Sequence, residues 1–476
     1  MNEKYFEPLL IGGQRIQTVE HITVINPYTH KPIGKVGSAS PEQTEDAINI
    51  AAACVPNLTK FQRSQILSKA SELVRERRDQ LACQIVAESG LCWKDAINEV
   101  CRTQDVLSIG AALCVQEDAS IFSGDISQNG KNRKIFSFRE PVTAIGAITP
   151  FNHPLCQVAH KVAPAVATNN CIVLKPSGKT PFSAYRLAGI FYEAGLPKEM
   201  LSIVTGPAAA LADKFVESKH IEVLAFTGST SVGYQIAQKA SYKRLLLELG
   251  GNDALVVLPD ADINEAINLA TQGAFGNSGQ RCTAIKRILV QENIANNFAN
   301  KLAINAAKLI CGNPFEKETD VGTVINEESA RMIEQRVSNA INDGAKLLVG
   351  HKRQGALYTP TVLDDVSSTS ELVMQETFGP VAPIIHFETI DEAIGIINKT
   401  EFGLSAGLCT NHWPTIMKFV QQLKVGSVNV GEVPSYRTEM SPFGGVKGSG
   451  LGSKEGLVEA MRFYTNVKTL SVPWLG

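Results

Sequence analysis

Apolar and polar positions change rhythm several times along this 476-residue chain. The first forty residues are strand-like and turn-rich, with β-formers in INPYTHKPIGKV interrupted by Asn-Pro and Pro-Ile-Gly. Ser40-Pro41 then reads as an N-cap followed by Pro at the first helical position, and EQTEDAINIAAAC continues at helical spacing. Helical patterns also cover Gln62 to Glu88 and Lys94 to Val115. From Ile121 to Glu140 the pattern alternates around Asn129-Gly130, which predicts a hairpin arm leaving the main body. Between Pro141 and Gly250, apolar β-runs (TAIGAITP, NNCIVLKP, MLSIVTG, EVLAFTGS) alternate with helical stretches. Buried strands alternating with helices predict an α/β fold with a parallel sheet of the dinucleotide-binding type. A second α/β stretch runs from about Gly251 to Val430, with strands at ALVVL, RILVQ, KLLVG, VAPIIHF, LSAGLCT and GSVNVG. The tail ends in an alternating strand whose free edge invites pairing with another chain.

Length suggests about three domains, or two with elaboration. The 45 Lys+Arg against 47 Asp+Glu give a net charge of −2, which argues against a polyanion partner such as nucleic acid. Ten cysteines show no CxxC pair and no tight framework, so neither a disulfide scaffold nor a metal site is expected. The segment MNEKYFEPLLIGGQRI has acids and no apolar core, unlike a signal peptide. No apolar run reaches the roughly 20 residues of a membrane span. These features predict a cytoplasmic protein.

Four segments carry candidate chemistry. In FGNSGQRCTA a glycine-loosened turn presents Cys282 directly after Arg281, a cation able to lower a thiol pKa; the alternative is one more buried thiol. In LELGGNDALVV, Glu248 ends an apolar strand before Gly250-Gly251, as a general base or as a solvated strand end. In ITPFNHPL, the amide of Asn152 can donate to an oxyanion or serve turn chemistry. In AFTGSTSVG, Gly228 permits close backbone approach where Ser229 to Ser231 open a helix, a phosphate site by mechanism. Neither a Walker loop nor a strict GxGxxG is present.

Together and in this order these segments resemble the aldehyde dehydrogenase superfamily, from INP near Asn26 to PFGGVKGSG at Pro442 to Gly450, with ETFGP at Glu376 to Pro380 as a further shared motif. The resemblance implies a Rossmann-like cofactor domain (1–119 and 141–249), an α/β catalytic domain (250–440) and a small β oligomerisation arm (120–140 and 455–476). It implies Cys282 as nucleophile, Asn152 with the backbone N–H of Cys282 as oxyanion donors, and Glu248 as the base that activates water. Relatives that pass the acyl group to coenzyme A usually lack that glutamate, so hydrolysis is expected. Lys175 matches the lysine that holds the adenosine ribose, Ser229 the pyrophosphate contact, and Glu376 and Phe378 the residues that position the nicotinamide. Thr149, Pro150, Phe151, Ser177, Gly178, Gly206, Thr227, Gly228 and Leu249 complete the implied cofactor positions. Many NAD-preferring relatives carry an acid where Gly178 stands, followed here by Lys179. NAD and NADP are both expected.

The resemblance also bears on the aldehyde. Most relatives have Phe or Tyr after the oxyanion asparagine and a small or apolar residue before the cysteine. Here the positions hold His153 and Arg281. Arg281 could tune the thiolate or bind an anion. With Arg102 and Arg437 at positions resembling the substrate channel and its mouth, a small anionic aldehyde is expected. NHP after the first strand and YRTEMSPFGGVKGSGLGSKEG resemble the phosphonoacetaldehyde branch more than the non-phosphorylating glyceraldehyde-3-phosphate branch. Phosphonoacetaldehyde is the expected substrate; glyceraldehyde 3-phosphate, sulfoacetaldehyde and succinate semialdehyde are alternatives. Remoter readings are a thiol hydrolase pairing Cys282 with His153 and a non-catalytic relative. The arm implies a homodimer or homotetramer.

Overall fold

The computed structural model describes residues 5–474. The N-terminal segment read above thus lies partly outside the described residues, as do 475–476 of the arm.

The first sheet has seven strands in the spatial order Arg244–Glu248, Val223–Thr227, Ile145–Ile148, Ile172–Lys175, Leu201–Ile203, Leu9–Ile11 and Gln14–Ile16. The first five are parallel and the N-terminal pair adds an antiparallel edge. The central strands are buried throughout, as their apolar runs require when helices cover both faces. The second sheet also has seven strands: Lys346–Val349, Thr361–Asp364, Val381–Phe387, Ile285–Gln291, Asp253–Val257, Ser405–Cys409 and Ser427–Val430. All its pairings are parallel except that of the edge strand Lys346–Val349. Each sheet has its own apolar core.

Three expectations need correction. The helical stretch 62–88 is two helices, Lys60–Glu76 and Arg78–Ser89, broken where Arg77 leaves helical geometry (φ −100°, ψ 18°). No Gly or Pro marks that break. The strand Thr361–Asp364 went unforeseen because TVLD is only one short buried run; its strand state comes from pairing on both sides. The hairpin of Ser120–Ser123 with Arg133–Pro141 forms, yet Asn129-Gly130 is not a tight two-residue turn. Ser123 pairs with Lys134, and the long connection is closed by Gly124 N–H to Arg133 O (2.8 Å) and Gly130 N–H to Ser127 O (2.8 Å).

Thr465–Pro473 pairs along its whole length with Arg133–Pro141, Thr465 against Pro141 and Pro473 against Arg133. The tail strand therefore finds one partner within its own chain, and its other side is a sheet edge. Among the described residues no helix is long and apolar enough to cross a membrane.

Candidate active site

The strand Asp253–Val257 feeds the helix Ile263–Phe275, which ends at Gly276. The chain then takes three consecutive left-handed residues, Asn277 (φ 59°), Ser278 (φ 53°) and Gly279 (φ 69°). Non-glycine residues enter that region only when surroundings over-determine them. Here the Asn277 N–H donates to Asp95 Oδ2 (2.8 Å), and its side-chain amide reaches the carbonyls of Asn152 and Gln280 (both 3.2 Å). Gln280 Oε1 in turn accepts from Ile325 N–H (2.8 Å). This netted turn presents Cys282. At Gly279 a Cβ would stand 2.0 Å from Gly379 O, so a side chain has no room. Gly279→Ala is expected to lower the melting temperature and to cut turnover about 100-fold through misplacement of the thiol. Native kinetics in that variant would show the turn to be dispensable.

Cys282 reaches a cavity of about 1210 Å³ that runs along the C-terminal ends of the first sheet. Every cofactor position implied by the sequence lines it: Thr149, Pro150, Phe151, Lys175, Ser177, Gly178, Gly206, Thr227, Gly228, Ser229, Leu249, Glu376 and Phe378, together with Asn152. Ser229 caps the helix Thr230–Lys239, and Gly228, Ser229 and Val232 bring its N-terminus to the cavity wall. Lys175 is buried, which pushes its ammonium down to about 8. Phe151 and Phe378 meet edge to face at 5.9 Å. Glu376 Oε1 accepts from Gly251 N–H (3.1 Å) and pairs with Lys286 (3.2 Å). A helix N-terminus, a buried cation and two aromatic faces fit a nicotinamide dinucleotide.

At the thiol, burial pushes Cys282 up to about 11, against the pull of Lys286 and Arg437. Lys286 Nζ donates to the carbonyls of Arg281 (2.8 Å) and Cys282 (2.6 Å), which fixes the backbone of the nucleophile. Asn152 spends one amide hydrogen on Gln280 O (2.8 Å), and the amide has a second to give. Glu248 ends its strand with 3% exposure, and neither carboxylate oxygen has a hydrogen-bond partner among the described residues. Burial raises it to about 8, opposed by Lys161, Arg437 and Lys454. A carboxylate so poised can exchange a proton near neutral pH.

The four expected substrate residues do not line the cofactor cavity. They are coupled electrostatically through one another and through Asp95 and Glu439, in company that the sequence reading missed. Arg102 is gripped by Glu439, Nε to Oε1 at 2.8 Å and Nη2 to Oε2 at 3.3 Å. Arg281 donates to the carbonyls of Gln272 (2.9 Å) and Gly273 (3.3 Å) and feels the charge of Asp95. His153 Nδ1 lies 3.7 Å from Glu99 Oε2, while Glu99 Oε1 accepts from Leu155 and Cys156 N–H at a helix start. Arg437 stacks on Phe443 at 4.0 Å and keeps a buried Nη1 with no partner among the described residues. Three acids, Asp95, Glu99 and Glu439, thus accompany three arginines. Asp95 and Glu99 could have been found from the sequence, because helical spacing puts them on one face of Trp93–Cys114 with Arg102. Glu439 left no such signal.

A cavity that fits a nicotinamide dinucleotide and is lined by a turn-mounted thiol and an amide donor marks the class of nicotinamide-dependent oxidoreductases. The aldehyde dehydrogenase family profile matches residues 15–470, and the chain belongs to that family. The 3-sulfolactaldehyde dehydrogenase of Priestia aryabhattai is 37% identical over 463 residues, 97% of each chain. The lactaldehyde dehydrogenase of Methanocaldococcus jannaschii is 38% identical over 471 residues, 98% of this chain and 100% of that one. A solved structure of the NADP-dependent glyceraldehyde-3-phosphate dehydrogenase from Bacillus halodurans C-125, complexed with NADP, matches with a TM-score of 0.96 at 32% identity, over 98% of this chain and 99% of that one. The protein is an NAD(P)-dependent aldehyde dehydrogenase. When bound, NAD or NADP supplies the hydride acceptor.

Proposed function

We propose that the protein oxidises a small aldehyde carrying one negative charge, a sulfonate foremost, to the free carboxylate. The observation that carries this reading is the partnerless Nη1 of Arg437, an arginine electrostatically coupled to Cys282. Arg102 is paired with Glu439, and Arg281 donates to two helix-end carbonyls and feels the charge of Asp95, although its buried Nε has no partner among the described residues. Of the three arginines only Arg437 makes no hydrogen bond or ion pair among the described residues, and a single such guanidinium suits a monoanion, whereas a phosphate or phosphonate carries up to two charges at neutral pH. The sulfolactaldehyde relative supports the same chemistry. Phosphonoacetaldehyde is the second reading, supported by the NHP and YRTEMSPFGG segments.

The site supports the following residue roles. Cys282 Sγ attacks the carbonyl carbon, and Asn152 Nδ2 donates to the oxyanion. A hydride leaves the resulting thiohemiacetal and a thioester remains on Cys282. Glu248 then takes a proton from water, which attacks the thioester and frees the acid and the thiol.

Steady-state comparison of sulfoacetaldehyde, 3-sulfolactaldehyde, phosphonoacetaldehyde, glyceraldehyde 3-phosphate and lactaldehyde, each with NAD and with NADP, tests the substrate. A sulfonate should lead, and both cofactors should serve. Arg437→Ala should raise KM for the sulfonate about tenfold or more and leave lactaldehyde near its wild-type value. Equal kcat/KM for charged and neutral aldehydes in the wild type sinks the reading.

We also propose a cytoplasmic location, the domain division given by the sequence, and self-association through the arm at 120–140 and 455–476. Exposed Ile121, Phe122, Val467 and Leu470 on its strands support association. A sedimentation mass equal to the monomer would refute it.

A further inference from the structure

The carboxylate of Glu439 has no part in the chemistry above, yet it sits buried at the centre of the arginine cluster. It accepts from Nε and Nη2 of Arg102, one edge of that guanidinium, and His160 Nε2 lies 2.8 Å from its Oε2. Its backbone carbonyl accepts from Leu457 N–H (3.0 Å), which fixes the loop that carries it. Arg437, Asp105 and Cys156 are the other titratable or charged groups coupled to it. Burial pushes His160 down to about 4, against the pull of the Glu439 carboxylate. The arginine and histidine contacts hold Glu439 well below the ordinary carboxylate range despite its burial.

We propose that Glu439 is a specificity-determining residue: an internal anion that offsets the charge of Arg102 and occupies its Nε/Nη2 edge, so that the pocket accepts one substrate charge through Arg437 and rejects a second. The proposal rests on the anionic-substrate reading above. Its physical basis is competition for a fork. A guanidinium presents five N–H donors in a fixed plane, and the edge bound by a carboxylate is not available to a second oxyanion. A dianionic phosphate would also stand against the Glu439 charge in a poorly solvated site, where like charges repel strongly. Glu439 is a positioning residue in this sense. It touches Arg102 and sets what that arginine can bind.

Glu439→Gln fills the same space without the charge, and Glu439→Asp keeps the charge. Sulfoacetaldehyde, glyceraldehyde 3-phosphate and propanal are the monoanionic, dianionic and neutral probes. In Glu439→Gln the ratio of kcat/KM for the phosphate over the sulfonate should rise about tenfold, through KM, as one charge-assisted contact is released. In Glu439→Asp the ratio should stay within about threefold of wild type. An unchanged ratio in a Glu439→Gln protein that melts cooperatively overturns the proposal, as does an equal shift in both variants, which would mark a packing effect. Should neither variant fold, the wild type still decides. Inhibition by ethylphosphonate should weaken severalfold relative to ethanesulfonate between pH 6 and 8.5, as the phosphonate goes from monoanion to dianion. Tightening over that range overturns the proposal. A wild type that prefers sulfoacetaldehyde over propanal, combined with an unchanged Glu439→Gln ratio, rejects the role of Glu439 alone. Equal wild-type kcat/KM for those two aldehydes rejects the anionic reading and the role of Glu439 with it.

Discussion

Cys282→Ala is expected to abolish NAD(P)H formation from every aldehyde, a loss on the order of 10⁴-fold or more, while cofactor binding survives. Of the ten cysteines, Cys282 is the one that lines the cofactor cavity among the described residues. The others lack its surroundings: Cys156, Cys171 and Cys409, for example, are buried, which pushes their thiols up without a nearby lysine. No neighbouring thiol can therefore take over. Nucleotide binding followed by fluorescence should be near wild type, because Lys175, Ser229 and Phe378 are untouched. Turnover above about 1% of wild type would mean that the hydride is not released from a cysteine adduct. The thiol held at about 11 adds a second reading. Iodoacetamide inactivation of the wild type should accelerate about tenfold per pH unit below that value, since only the thiolate reacts. A rate flat from pH 7 to 9 would show that Lys286 and Arg437 outweigh burial.

Glu248→Gln should separate the two halves of the reaction. Attack by Cys282 and hydride departure do not need the carboxylate to activate water, whereas thioester hydrolysis does. The expected result is a burst of about one NAD(P)H per site, followed by steady turnover slowed about 10²- to 10⁴-fold. Hydroxylamine should accelerate the slow phase by cleaving the thioester. Glu248 works as a base only when ionised, and burial places that ionisation at about 8. Wild-type turnover should therefore rise through about pH 8, and the variant should lose that limb. A variant with wild-type steady turnover and the same pH limb removes Glu248 from the mechanism. The same burial has a stability counterpart. The folded chain binds this proton more tightly than the unfolded one, whose carboxyl titrates near the ordinary 4.5. Stability is then lost as pH rises from that value to about 8, so Glu248→Gln should gain in melting temperature over wild type across this interval.

Much of this molecule was legible before its structure. Buried strands such as IVLK and LVV can be satisfied only inside a sheet covered on both faces, so the alternation of apolar runs with helices determined an α/β fold. Glu248, Asn152 and the cofactor residues of the first sheet stand in short contiguous motifs at strand ends, where the connection after a parallel strand must deliver them to one edge, and Cys282, Glu376 and Phe378 stand in equally short motifs just before strands of the second sheet. That rule explains why the strand-end cofactor positions of the first sheet line one cavity.

Other features depended on distant partners. The strand state of Thr361–Asp364 exists only because two other strands flank it. The left-handed turn before Cys282 is enforced by Asp95, 182 residues away along the chain. The arginine count suggested a strongly cationic pocket, but a charge in a folded protein is worth what its neighbours leave uncompensated. The sequence by itself determined the fold and which residues line the cavity, and it singled out Cys282, Glu248 and Asn152 as candidates, because local patterns encode them. Only the tertiary structure decided that Glu439, 337 residues from Arg102, takes up that arginine and leaves Arg437 with a free edge, because pairing between side chains depends on distance in space, not along the chain.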